Sequence, residues 1–178
     1  MNTVRKQEST EAPTPITNVS VQFFKKSSVP SEVTKFVQTV NGIPSTPPLN
    51  QKEVALGEAY LTKVDKELPA SIEASLAEAL VNKGVTSGPE YLLFISLDKV
   101  SIAIRRESTL TFETGEYFPT IGQIAYQASL YRSSDKKVMW RAILNVSHIG
   151  KKIVDVPTTG GQMATKVVAE LQSAGWVK

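Results

Sequence analysis

Two carboxylates held at a fixed separation can hydrolyse a glycosidic bond, so acid pairs are the first residues to weigh. Glu113 and Glu116 flank Gly115, with Glu107 and Asp98 earlier in the same stretch. In a polar turn between strands such acids are ordinarily solvated. A small hydrolase using Glu113 or Glu116 together with His148 is therefore an alternative reading, not the leading one. His148 is the only histidine in the chain. Alone it cannot build a multi-histidine metal centre, and a triad would need Ser and Asp partners that no spacing identifies. It is expected to be a surface or capping residue. The chain contains no cysteine, which removes disulfides, thiolate catalysis and Cys-based zinc sites. No catalytic residues, no cofactor and no metal are expected.

Binding features are easier to place. Tyr117-Phe118-Pro119 follows the acidic turn, and exposed aromatics on a loop often anchor a protein partner. With the nearby Arg105-Arg106 doublet, Tyr117, Phe118, Arg105 and Arg106 form the candidate partner-binding set. Thr158-Thr159-Gly160-Gly161 opens a helix, where free N–H groups can hold an anion. It lacks both the Walker lysine and the three-glycine dinucleotide fingerprint, so an ordinary helix start is the expectation. Basic doublets also occur at Lys25-Lys26, Lys136-Lys137 and Lys151-Lys152. Nucleic-acid binding wants such charges clustered with aromatics on one face. Spread over separate elements they do not predict it, and a basic polyanion-binding module stays a second alternative.

The elements that would carry these residues can be read from periodicity. Residues 1–15 are polar, broken by Pro13 and Pro15, and read as a flexible leader or tether ahead of one α/β domain over 16–178. Ile16–Phe24 alternates Val19, Val21 and Phe23, a strand pattern. Ser31 caps an expected short helix carrying Val33, Phe36, Val37 and Val40, and the Pro-rich 41–50 stretch reads as a loop. From Gln51 to Lys83 the chain is helix-rich, with an expected break at Leu68-Pro69. Ile72, Leu76, Ala79 and Leu80 then make an apolar stripe that Gly84 terminates. Tyr91–Ile104 is a long strand with an expected bend near Asp98-Lys99, and Leu110–Glu113 a short one. Ile121–Tyr131 and Val138–Ser147 both alternate, and the short polar RSSDKK between them predicts an antiparallel hairpin. After Pro157, Thr158 or Thr159 caps a helix with Met163, Val167, Leu171 and Ala174 on one stripe and Gly175 at its end. The expected fold is thus α+β: a mostly antiparallel sheet of about 4–6 strands with two main helices packed on one face.

Composition fits this. Hydrophobic residues make up 41% of the 178, enough for a real core, and no apolar run approaches the length needed to span a bilayer. The net charge of +3 is uneven, with seven basic against two acidic residues from 136 onward.

One combination of motifs points to a family. A helix ending in AEALVNKGV leads into the strand PEYLLFISLDKVSI. The paired strands IAYQASLYRSSDKKVMWRAILNVS follow, and the helix VVAELQSAGWV closes the chain. Together, over roughly residues 68–177, they resemble small bacterial envelope lipoproteins with a layout like the N-terminal domain of the translocation protein TolB. Leu130, Tyr131, Asp135, Val138 and Trp140 carry the pattern. The resemblance implies a non-catalytic accessory or adaptor protein in the periplasm, bound to an envelope protein partner and outer-membrane anchored. The sequence shows no leader and no lipobox cysteine, so a membrane contact would run only through a lipid anchor absent from it. Cytoplasmic location is the alternative, and no oligomeric state is implied.

Overall fold

The computed structural model describes residues 4–6, 9–24, 28–35, 37–38, 44–45, 47–105, 117–148 and 154–178. Among these are eight strands and two helices: β1 (Val4–Lys6), β2 (Asn18–Phe24), β3 (Ser31–Lys35), β4 (Val37–Gln38), β5 (Pro44–Ser45), α1 (Gln51–Val81), β6 (Thr86–Arg105), β7 (Phe118–Arg132), β8 (Lys137–Ser147) and α2 (Val156–Ser173). The main sheet runs β1-β8-β7-β6-β2, and β3 adds to β6 beyond β2. The expected α+β class, with a mostly antiparallel sheet, is what forms.

β6 organises the sheet because it is long enough to serve three neighbours. Its first half pairs in parallel with β2 and its second half in parallel with β3, while β7 runs antiparallel along nearly all of it. The expected bend at Asp98 is a bulge: Leu97 opposes Tyr126 and Lys99 opposes Ala125, with Asp98 the extra residue in the register between them. The β7–β8 hairpin forms as expected, turning through Lys136 at a φ of 56°. Ile124, Tyr126, Ala128 and Leu130 on β7, and Trp140, Ala142, Leu144 and Val146 on β8, are all buried. Each large apolar side chain removed from water in this way contributes roughly 1.5–3 kcal/mol.

Three expectations are overturned. The helix predicted from Ser31 is the strand β3. Its β-branched Val33 and Thr34 suit a pleated ladder, and Val33 meets α1 at Gly57, where the backbone approach leaves no room for a Cβ. The break predicted at Pro69 does not occur, because α1 is one helix of 31 residues with Pro69 inside it. Val64, Leu68, Ile72, Leu76 and Leu80 run through the proline on one unbroken stripe, every one of them at most 1% exposed. Burial of that stripe outweighs the hydrogen bond that Pro69 cannot give to the Asp65 carbonyl. Finally, α2 is capped by Asp155, whose carboxylate accepts from the Thr158 N–H at 2.8 Å, rather than by either threonine.

Both helices end as read. Gly84 (φ 78°) and Gly175 (φ 86°) take the left-handed conformation, and the next N–H returns to the last turn, Val85 to Leu80 O and Trp176 to Leu171 O, each at 2.9 Å.

The segment expected to be a flexible leader contributes structure. Val4–Lys6 pair antiparallel with Arg141–Ile143 of β8, and Glu11 accepts from Arg132 and Lys137 at the β7–β8 turn. The predicted strand Leu110–Glu113 lies outside the described residues. So do Phe36, Val40, and residues 41–43 and 46 of the 41–50 loop.

Candidate partner-binding end of the sheet

The antiparallel ladder of β6 and β7 closes on a pair of opposed residues, Arg105 at the end of β6 and Phe118 at the start of β7. Phe118 is 46% exposed, a large apolar ring left in water at a strand end. Arg105 is half-buried, and its Nη1 donates to the His148 carbonyl at 3.2 Å, which ties the end of β6 to the end of β8. The neighbouring Tyr117 ring lies 4.6 Å from Lys35 Nζ, a cation over an aromatic face supplied by β3.

Lys35 in turn donates to Glu53 Oε1 at 2.8 Å, with only 15% and 10% of the two side chains exposed. Glu53 stands at the third position of α1 for a reason readable in the sequence: Asn50-x-x-Glu53 is a capping box. The Glu53 N–H donates to Asn50 Oδ1 at 2.9 Å, and the Asn50 N–H donates to Glu53 Oε2 at 3.1 Å. The Lys35 ammonium, then the Asn50 N–H, hold the Glu53 carboxyl below its ordinary range. It is a fixed anion, engaged on both oxygens. This suits a residue that positions Lys35, not one that exchanges protons with a substrate.

Behind this rim lies His148. A surface or capping residue was expected, and the surface alternative does not hold, since His148 is 1% exposed. Its N–H donates to Gly122 O at 2.8 Å and its Nε2 lies 3.1 Å from Thr159 Oγ1. The Thr159 hydroxyl proton already goes to Asp155 O at 3.0 Å, which assigns the proton on the His148–Thr159 contact to Nε2. The Thr158–Gly161 turn is likewise no anion site: Thr159 is buried against His148, and Gly160 is packed against Ser71 of α1 so tightly that a Cβ has no space.

Of the candidate partner-binding residues, the structure brings Arg105, Tyr117 and Phe118 together. Arg106 lies outside the described residues, as do Glu113 and Glu116, the carboxylates of the hydrolase alternative. Lys35 and Glu53 were not identified from the sequence. The capping box could have marked Glu53, but nothing local links Lys35 to Tyr117. Asn50, at the end of the Pro-rich loop, stands at this same end of the fold, so the loop's exit and the Tyr117-Phe118 turn share a side.

No family model and no curated protein sequence matches the chain. Among solved structures it is similar to the PelC dodecamer from Paraburkholderia phytofirmans, at 11% identity over 100% of both chains with a TM-score of 0.45. Protein XCC0632 from Xanthomonas campestris, of family model DUF330, is similar at 14% identity over 90% of this chain and 88% of that one, with a TM-score of 0.42. Lipoprotein GNA1162 from Neisseria meningitidis is similar at 13% identity over 89% of this chain and 99% of that one, with a TM-score of 0.24.

Proposed function

We propose that this chain is a non-catalytic accessory protein of the bacterial cell envelope, the periplasmic part of a lipoprotein, which holds an envelope protein partner through the Arg105–Tyr117–Phe118 end of its sheet. The observation that carries the reading is Phe118, an exposed ring framed by Arg105 and by the Lys35–Tyr117 pair. Aromatic and arginine side chains on a rigid support are the usual anchors of protein interfaces. The residue pattern over 68–177 supports the envelope setting. The direction of β1 adds a geometric reason. Val4 opposes Ile143 and Lys6 opposes Arg141, so the chain arrives from the Ser147 end of β8, the end that carries Phe118. A lipid tether entering there would hold the partner site towards the membrane.

The test places a photo-crosslinking residue at position 118 in cells, with position 74 on the exposed side of α1 as the control. An adduct with one envelope protein, formed from position 118 and lost on Arg105→Ala, is the expected result. Equal adducts from both positions, or recovery of the protein in the cytoplasmic fraction, would overturn the reading.

A further inference from the structure

β1 and β2 are consecutive in the chain yet lie on opposite edges of the sheet, β1 against β8 and β2 against β6. The segment joining them must therefore cross the end of the sheet, and it is held at few points. Ile16, 5% exposed, donates its N–H to Trp176 O at 2.9 Å and anchors the inner end. Glu11 fixes the middle, with its carboxylate oxygens 2.7 Å from Arg132 Nη1 and 3.0 Å from Lys137 Nζ. Beyond that latch, among the described residues, Ser9 is buried and the three residue pairs of the β1–β8 ladder join the strap to the sheet.

Between anchor and latch runs Ala12-Pro13-Thr14-Pro15. Each proline fixes φ near −65°, and such a segment favours an extended conformation of about 3 Å per residue. The hinge is thus a stiff lever between anchor and latch, with Pro13 lying beside Gly175 at the end of α2. The β8 edge accepts the same ladder whichever copy supplies β1, so exchange between copies conserves every backbone hydrogen bond.

We propose that the strap is exchanged between copies of this chain, β1 of one copy pairing with β8 of a second, and that the Glu11 clasp with Arg132 and Lys137 is the latch that opposes it. The occupant of the β8 edge in the exchanged form is a second copy. The inference stands apart from the envelope role and holds or fails without it.

Because the chain has no cysteine, the exchange can be read with introduced ones. Val4 and Ile143 are opposed in the ladder, and Ile143 is exposed. One preparation carries Val4→Cys, another Ile143→Cys, and the two are mixed under mild oxidation. The expected product is a mixed disulfide dimer, formed in excess of either homodimer and of the dimer that Val4→Cys makes with Lys178→Cys. Glu11→Gln, or about 1 M salt, should raise its rate of formation several-fold by weakening the exposed clasp. A double variant with Val4→Cys and Ile143→Cys in one chain should close on itself and, once closed, cease to exchange. If that double variant closes while the mixture gives no excess of mixed dimer, each β8 keeps its own β1 and the proposal falls. Failure of the double variant to close, with no mixed dimer, removes the β1–β8 pairing and overturns it equally. An unchanged rate in Glu11→Gln overturns the latch.

Discussion

Val33 of β3 occupies the space in which a side chain at Gly57 of α1 would sit: a Cβ built on Gly57 collides with both methyl groups of Val33. Two elements that the local pattern keeps apart are in this way fixed to each other, strand against helix, about two turns from the Asn50 cap that positions Glu53 and Lys35.

Gly57→Ala should therefore destabilise the protein although it removes a glycine from a helix. The propensity gain is about 1 kcal/mol, whereas overpacking a well-filled contact costs about 1–3 kcal/mol. Gly57 is buried, and its obstacle is the β-branched, rotamer-restricted Val33, so the second effect wins. Urea denaturation of Gly57→Ala, Val33→Ala and the double variant reads the coupling. The double variant should be more stable than the sum of the single losses predicts, and simple additivity would exclude the clash as the cause.

Pro69→Ala tests the opposite case, a local rule broken inside α1. The proline withholds one hydrogen bond from the Asp65 carbonyl, and a helix-interior proline costs about 3 kcal/mol relative to alanine. Since Leu68 and Ile72 already sit fully buried on either side, the substitution needs no rearrangement of the core. It should raise the melting temperature by several degrees without changing the circular dichroism spectrum. A fall would show that Pro69 is needed for the path of the helix.

What was legible in the sequence follows from how local each signal is. The β7–β8 hairpin, the glycine ends of the two helices and the bend at Asp98 are each written in a dozen neighbouring residues, and each formed where expected. Val33 and Pro69 misled for a common reason: helical spacing after Ser31 and a proline at 69 are local statements, while a parallel ladder on β6 and a stripe buried against the sheet are tertiary ones. The partner-binding end shows the same division. Phe118 and Arg105 were marked by residue type, but the clasp of Lys35 between Glu53 and Tyr117 joins three segments that no spacing rule connects.

The strap should loosen in acid. Hydrogen bonds from Arg132 and then Lys137 hold the Glu11 carboxyl down to about 2 from its ordinary 4.5, and Arg132 holds Asp135 at about 2. A carboxyl whose folded value is depressed stabilises the fold above its unfolded value and loses that contribution as pH falls through the folded one. The clasp should thus be intact above pH 4.5 and weaken progressively towards pH 2. Backbone hydrogen exchange at Val4–Lys6 should accelerate over that window after correction for the intrinsic pH dependence. Glu11→Gln should show the faster exchange already at neutral pH, with little further change in acid beyond that of the remaining carboxyls.

Thr159→Val separates the shape of the His148 pocket from its hydrogen bonding. Valine keeps the volume of threonine and removes Oγ1, the acceptor for His148 Nε2–H at 3.1 Å and the donor to Asp155 O at 3.0 Å. Both His148 and Thr159 are essentially excluded from water, so the donor left behind finds no replacement, at a cost of about 1–3 kcal/mol. The loss should be felt at the start of α2 and at the end of β8, where the His148 carbonyl also receives Arg105. Thr159→Ser retains the hydroxyl and should lose less, mainly the packing of one methyl group, about 1 kcal/mol. Chemical denaturation of the two variants measures the difference. If valine and serine cost the same, the contact between His148 and Thr159 acts only through packing, and the assignment of the proton to Nε2 loses its support.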